Sequence, residues 1–188
     1  MSGVGNLFLL RDAVVARLRD KIPGLRSIEP HGGTFDEKEV AKFATLAPAI
    51  RVACMGFDRV ERHSSGMLRL PVHFAAVVVT KDAMQGGDKV GRDTQALLIG
   101  NAVALAVHGH RFGLEGVFQP ENLRGANEYS DASQSAGVAL WQVTWTSPVL
   151  LGESVDEALG ALAQLFVNGA LFADPLPIGG DPLAGGAP

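Results

Sequence analysis

The sequence predicts an α+β fold, a small and mainly antiparallel sheet packed against helices, and three stretches carry that prediction. The run GVALWQVTWT (137–146) alternates, with Ala139, Trp141, Val143 and Trp145 facing one way and Leu140, Gln142, Thr144 and Thr146 the other, which is the period of a half-buried strand. The run MLRLPVHFAAVVVTK (67–81) is rich in β-branched residues and reads as a longer strand. Near the start, Leu7, Leu10, Val14 and Leu18 recur at the spacing of one helical face.

In chain order, Asn6 is placed to cap the first helix, and Pro23-Gly24 ends it. A short extended piece, Leu25 to Glu29, leads into a loop where Thr34 and Glu37 have capping-box spacing ahead of a second short helix reaching about Ala44. Pro48 closes that segment. Ala49 to Phe57 reads as a strand that pairs antiparallel with Met67 to Lys81, across the charged, turn-rich segment Asp58 to Gly66. Pro71 cannot donate to a ladder, so its end of the strand is expected at an edge or a bulge. A third helix is expected over about Lys89 to Val107, with Leu98, Ala102, Leu105 and Ala106 as its packing stripe. The run Leu123 to Tyr129 is joined to the alternating strand by SDASQSAG, a turn too long for a two-residue hairpin. These elements form one domain over 1–149. A C-terminal arm over 150–188 follows: Ser154 and Glu157 have capping-box spacing, and Val155, Leu159, Leu162 and Phe166 predict a helix over about 155–167. The tail, 174–188, holds four prolines and four glycines, a composition that builds no core and is expected to be disordered in a free subunit.

Composition narrows the function classes. At 47% hydrophobic and 19% charged the chain is an ordinary globular protein of 188 residues. A net charge of -4 gives no basic footprint for gripping nucleic acid. No apolar run approaches the roughly 20 residues that span a bilayer, and Arg11, Asp12, Arg17, Arg19 and Asp20 interrupt any signal-peptide core. A cytoplasmic site of synthesis is expected. The single cysteine, Cys54, lies in AIRVACMGF, where a buried strand position is expected and no activating partner stands beside it.

Candidate chemistry is sparse. His108-Gly-His110 with Arg111 is the best start for a metal site, with His31, His63 and His73 elsewhere, but no CxxC or HExxH accompanies it. The same residues fit a helix C-terminus capped by Gly109. His73, among apolar strand residues, reads as a satisfied or edge-exposed histidine and not as a ligand. HGGTF and QGGDKVG, the latter with Lys89 and Arg92 nearby, match neither phosphate-loop pattern. Ser64, Ser65, Ser130, Ser133 and Ser135 lie in turn-like segments where serine is ordinary. No catalytic activity, cofactor or metal is therefore expected, and a small metal-dependent or hydrolytic enzyme is the lowest-ranked alternative.

Taken together, LRDAVVARLRDKIPGL, TFDEKEV before LAPAIRVACMGF, HGHRFGLEG, and ENLRGANEYS followed by GVALWQVTW resemble the tail terminator proteins of Mu-like bacteriophages and prophages. His110-Arg-Phe-Gly stands where an Asn-Arg-Trp-Gly type turn is expected, and the segment from about Gly152 is the least family-like. The resemblance implies a terminator- or neck-protein-like α+β fold and a homohexameric ring that caps the tail tube, stops its growth and meets the neck of the filled head. It implies the tail tube protein and neck or connector proteins as partners, the sheath protein if the tail is contractile, and DNA passing through the lumen without specific binding. The location implied is the virion tail or neck, with the host cytoplasm during assembly. Another head–tail connector or a head-completion protein is the alternative. On the final hairpin, Gln142 and Thr144 lie opposite the tryptophans and, with Arg124 and Glu128, are candidate interface residues; Leu159, Leu162 and Phe166 are the candidates on the arm.

Overall fold

The structure, a computed structural model, describes residues 7–32, 37–64, 67–85, 87–128 and 130–151. The Asn6 cap, the Thr34 half of the capping box, and the arm from Gly152 with Leu159, Leu162, Phe166 and the tail lie outside these residues. The elements are α1 (Leu7–Lys21), β1 (Ser27–His31), α2 (Glu37–Ala44), β2 (Ala49–Phe57), β3 (Glu61–Arg62), β4 (Leu68–Thr80), β5 (Ala83–Gln85), β6 (Asp88–Val90), α3 (Arg92–Val107), β7 (Glu121–Asn127), α4 (Asp131–Ser135) and β8 (Ala139–Leu151). The main sheet has the order β1-β2-β4-β8-β7, with β3 added beside β4. Every pairing in it is antiparallel except β1 with β2, so the expected α+β architecture is present as a mixed, mainly antiparallel sheet.

One face of the sheet carries the main core. Ile50 and Val52 of β2, Val72, Phe74 and Val78 of β4, and Val143 and Trp145 of β8 pack beneath Leu10, Val14 and Leu18 of α1 and Val103 and Val107 of α3. Trp145 is 2% exposed and stacks on Phe74 with ring centroids 5.5 Å apart, while its Nε1–H donates to Ser147 Oγ at 3.1 Å. Removing such a ring costs about 3–5 kcal/mol. On the other face a second cluster joins Val40, Phe43 and Ala44 of α2 to Val77, Val79, Val138 and Leu140.

Arg51 is the notable charge beneath this second layer. It is 2% exposed, donates to Ser27 Oγ at 2.8 Å and to Ile50 O at 3.0 Å, and lies 4.6 Å over the Phe43 ring. Burial pushes its guanidinium below the usual arginine value, and the Glu29 carboxylate at 3.8 Å offsets part of this. Beside it His31 pairs with Glu39 at 2.9 Å, joining β1 to α2.

Three expectations need correction and one, for Pro71, holds locally. The helix α3 begins at Arg92, because Asp88–Val90 forms a hairpin with Ala83–Gln85 around Gly87, whose φ is 96°. Its N-terminus is served from a distance: Asp82 Oδ1 accepts the Arg92 N–H at 2.9 Å. The buried stripe of α3 is Ala96, Gly100, Val103, Ala106 and Val107, so Leu98 and Leu105 point outward. A helix apolar on all sides offers no period to choose a face, and the small residues win because Trp141 needs room. Pro71 fits its expectation: β4 is paired on both sides along most of its length, but at Pro71 it has a partner on one flank only. It faces Pro148, whose carbonyl accepts from Phe118 N–H on the far side, so neither proline is asked to donate across that pair. On its other flank β2 stops at Val72 and β3 begins at Arg69, leaving Pro71 in the gap. Cys54 is half-buried, not buried, next to a register shift before Gly56.

Candidate interaction surface

The hairpin of β7 and β8 forms the outer part of the sheet. Its loop is organised by α4, a single turn of helix held by reciprocal serine caps: Ser130 Oγ accepts the Ser133 N–H at 3.2 Å, and Ser133 Oγ accepts the Ser130 N–H at 3.0 Å. Both hydroxyls are thereby engaged in capping. The tryptophans share the core face, as alternation predicts. Trp141, half-buried, is held between two glycines: a Cβ built on Gly100 would lie 2.5 Å from Trp141 Cδ1, and one on Gly125 would lie 3.2 Å from Nε1. The indole therefore sets how closely α3 and β7 approach β8.

Opposite the tryptophans, cross-strand pairing brings the predicted hairpin residues together. Arg124 pairs with Thr144, and Ala126 with Gln142; partners directly opposite share a face, with Cβ atoms about 5 Å apart. Gln142 and Thr144 are half-buried and Arg124 is exposed. Glu128, also exposed, sits just past the strand end, its N–H donating to Leu140 O at 3.1 Å. The three candidates of the arm, Leu159, Leu162 and Phe166, are outside the described residues.

Sequence reasoning missed what completes this face. His73, on β4, is held at both nitrogens: Nδ1 to Thr146 Oγ1 and Nε2 to Asp58 Oδ1, each at 3.2 Å. Of the two readings expected of it, satisfied or edge-exposed, it is hydrogen-bonded at both nitrogens and still part-exposed. The Arg59 backbone N–H, and then His73, hold the Asp58 carboxyl below its ordinary range. Thr146, His73 and Asp58 thus form a hydroxyl–imidazole–carboxylate chain, but with its ends reversed for nucleophilic chemistry. The hydroxyl belongs to a buried residue and the carboxylate is exposed, whereas hydrolysis needs the hydroxyl presented and the acid buried behind the base. What the chain does is tie the segment after β2 to the β4–β8 pair. Arg69 closes the rim by bridging Glu61 at 3.2 Å and Glu121 at 2.8 Å. No single alternating pattern marks these contacts, since they join residues far apart in the chain.

The histidine turn after α3 is used in two ways. His108 ends the helix, its N–H donating to Ala104 O at 2.9 Å, and Gly109 takes a φ of 70°, the cap expected of this segment. His110 Nδ1 accepts the Phe112 N–H at 2.9 Å, which requires that nitrogen to be unprotonated. Burial, then Arg17 and Lys21, push the His110 imidazole below its ordinary value. Among the described residues no three His, Cys, Asp or Glu side chains converge on one point, and no helix is long and apolar enough to cross a membrane. Compared with known proteins, the chain matches no protein-family model and no curated protein, so any reading of its role rests on its motifs and on this geometry.

Proposed function

We propose that this chain is a virion structural protein, a tail terminator that assembles as a ring on the end of a phage tail tube, stops its growth and offers a surface to the neck. The β7–β8 hairpin carries the reading. The segment richest in terminator-like motif folds into the outermost strand pair, and β7 pairs with no further strand among the described residues. An open strand edge beside a half-polar sheet face is a ready surface for another chain. Arg124, Gln142, Thr144 and Glu128 are assigned to that contact. The mechanism is capping by shape: a tube end is a self-templating surface, and a ring that covers it without repeating it outward ends the stack. Six copies, the tube and neck partners, and passage of DNA through the lumen follow from the motif resemblance.

Light scattering on the purified protein, with and without isolated tail tubes, tests the proposal. A hexamer, or a monomer that becomes a ring on tubes, is the expected result; a monomer indifferent to tubes at every concentration overturns it. Tails prepared without heads separate the alternative neck role, because a terminator stays on such tails and a head-completion protein does not.

A further inference from the structure

The segment between α3 and β7 folds back on itself within a few residues. Gly109, Gly113 and Gly116 have φ of 70°, 70° and 74°, and Phe112, which has no such freedom, has φ of 54°. A bulky residue in the left-handed region is strained and stays there only if its surroundings hold it. Two contacts hold Phe112. Its ring is buried in the main core, and its N–H donates to His110 Nδ1 at 2.9 Å, with the two rings edge to face at 5.2 Å between centroids. The same segment goes on to act as a strap across β8. β7 covers the outer edge of β8 only as far as Thr146. Beyond that point 116–118 covers it: Leu150 N–H donates to Gly116 O at 2.7 Å, Phe118 N–H donates to Pro148 O at 2.9 Å, and buried Val117 stands opposite Val149.

We infer that His110 is an acid-sensitive latch for this strap: protonation of its imidazole releases Phe112 from its strained turn and favours lifting of 116–118 from the edge of β8. The geometry dictates the sense. While Nδ1 accepts, a neutral imidazole carries its proton on Nε2, so the proton gained in acid goes to Nδ1 and meets the Phe112 N–H head-on. The new charge finds no compensation. From α1, Arg17 and Lys21 face the ring, and both are cations; Asp20 on that helix is engaged with Lys21 Nζ at 2.9 Å. Arg17 is fixed beside the end of α3 by its Nε–H, which donates to Ala106 O at 3.3 Å. The ring's own segment adds His108, Arg111 and Glu115, and among the described residues no carboxylate forms an ion pair with His110. Burial opposes the charged form first and the two cations add to it, so the latch stays closed until pH falls below the ordinary histidine value. His31 and His73 differ, because Glu39 and Asp58 stand ready to pair with their charge. Lifting the strap leaves Pro148 O and Leu150 N–H without their partners, an open strand edge where the neutral protein has none. The device does not depend on the tail-cap reading.

Amide exchange of the full chain at about pH 8 and about pH 5, corrected for the intrinsic rate, tests the latch. Amides of 112–118 are expected to exchange roughly tenfold faster in acid, the size of losing one hydrogen bond whose acceptor becomes charged. Their exchange should stay faster than that of β4 and should not respond to urea below the unfolding transition, as local opening requires. His110→Gln, which offers a carbonyl acceptor that does not titrate, is expected to remove the difference between the two conditions. Equal exchange at both pH values overturns the proposal, as does a full difference retained in His110→Gln, or strap exchange that rises with urea in step with β4. Should His110→Gln fail to fold, nuclear magnetic resonance of the wild type decides: the Phe112 amide is expected to titrate with the same midpoint as the His110 ring, and an amide indifferent to pH overturns the latch.

Discussion

Replacing Gly100 with alanine sets two well-known effects against each other. In a helix interior alanine is favoured over glycine by about 1 kcal/mol. The new Cβ, however, would lie 2.5 Å from Trp141 Cδ1, 2.8 Å from Nε1 and 3.3 Å from Cγ, distances that force the ring or the helix to move. The indole has little room to retreat, since a Cβ at Gly125 would lie 3.2 Å from Nε1, so that glycine's backbone closely flanks the ring on β7. Overpacking of this kind costs about 1–3 kcal/mol, so the expected net effect is a loss of about 1 kcal/mol. For a chain of this size that lowers the melting temperature by about 2–4 °C. Urea unfolding followed by tryptophan fluorescence measures it by linear extrapolation. In a Trp141→Leu background the clash is relieved and the same substitution should become neutral or stabilising. An increase in stability on Gly100→Ala alone would refute the idea that Trp141 dictates the packing of α3.

Four further outcomes are expected. Arg51→Met keeps the stem and the Phe43 contact and should change stability by less than about 1 kcal/mol, whereas Arg51→Ala should cost about 2–4 kcal/mol; equal effects in thermal melts would contradict the packing role. Because the folded state holds His110 below its ordinary value, the unfolded chain takes the proton first as pH falls. Stability should therefore decline from the ordinary histidine value down to the depressed folded value and then level off, and His110→Gln should lessen that slope in urea midpoints measured from pH 8 to pH 5. Asp82→Ala should speed amide exchange in the first turn of α3, where the Arg92 N–H loses its acceptor, and leave exchange in β4 unchanged. Arg124→Glu combined with Thr144→Arg should leave the circular dichroism spectrum intact and weaken ring formation or tube binding; retention of both removes these residues from the contact.

How much the sequence reveals depends on whether a segment has two distinguishable faces. β8 alternates, and both its tryptophans and the Gln142–Thr144 face are where alternation puts them. In α1 the spacing of Leu10, Val14 and Leu18 marks the buried stripe, although Phe8 and Leu9 on the same helix are exposed. α3 has no contrasting face, so its orientation was decided by the shape of Trp141, which no periodicity encodes. β1 is five residues with a proline inside it, too short to show a period, and its parallel pairing with β2 is visible only in the fold. The surface face was half legible: Arg124, Gln142 and Thr144 follow from the hairpin, while His73, Asp58 and Thr146 meet across the sheet. Arg51, in a strand that reads as apolar, became a buried charge because α2 folds Phe43 over it.

The place of β8 in the sheet has a consequence for how the chain is made. β4, the most apolar strand, has its longest partner at the end of the domain: Thr80 pairs with Ala139 and Leu68 with Leu151. On the ribosome β4 therefore emerges well before the strand that covers one of its edges, and at about 5–20 residues per second the wait lasts several seconds. During that interval VVV at 77–79 sits beside an open edge, the condition under which nascent chains associate wrongly. The yield of soluble protein should thus follow the speed of elongation through 81–138 more closely than the stability of the finished fold.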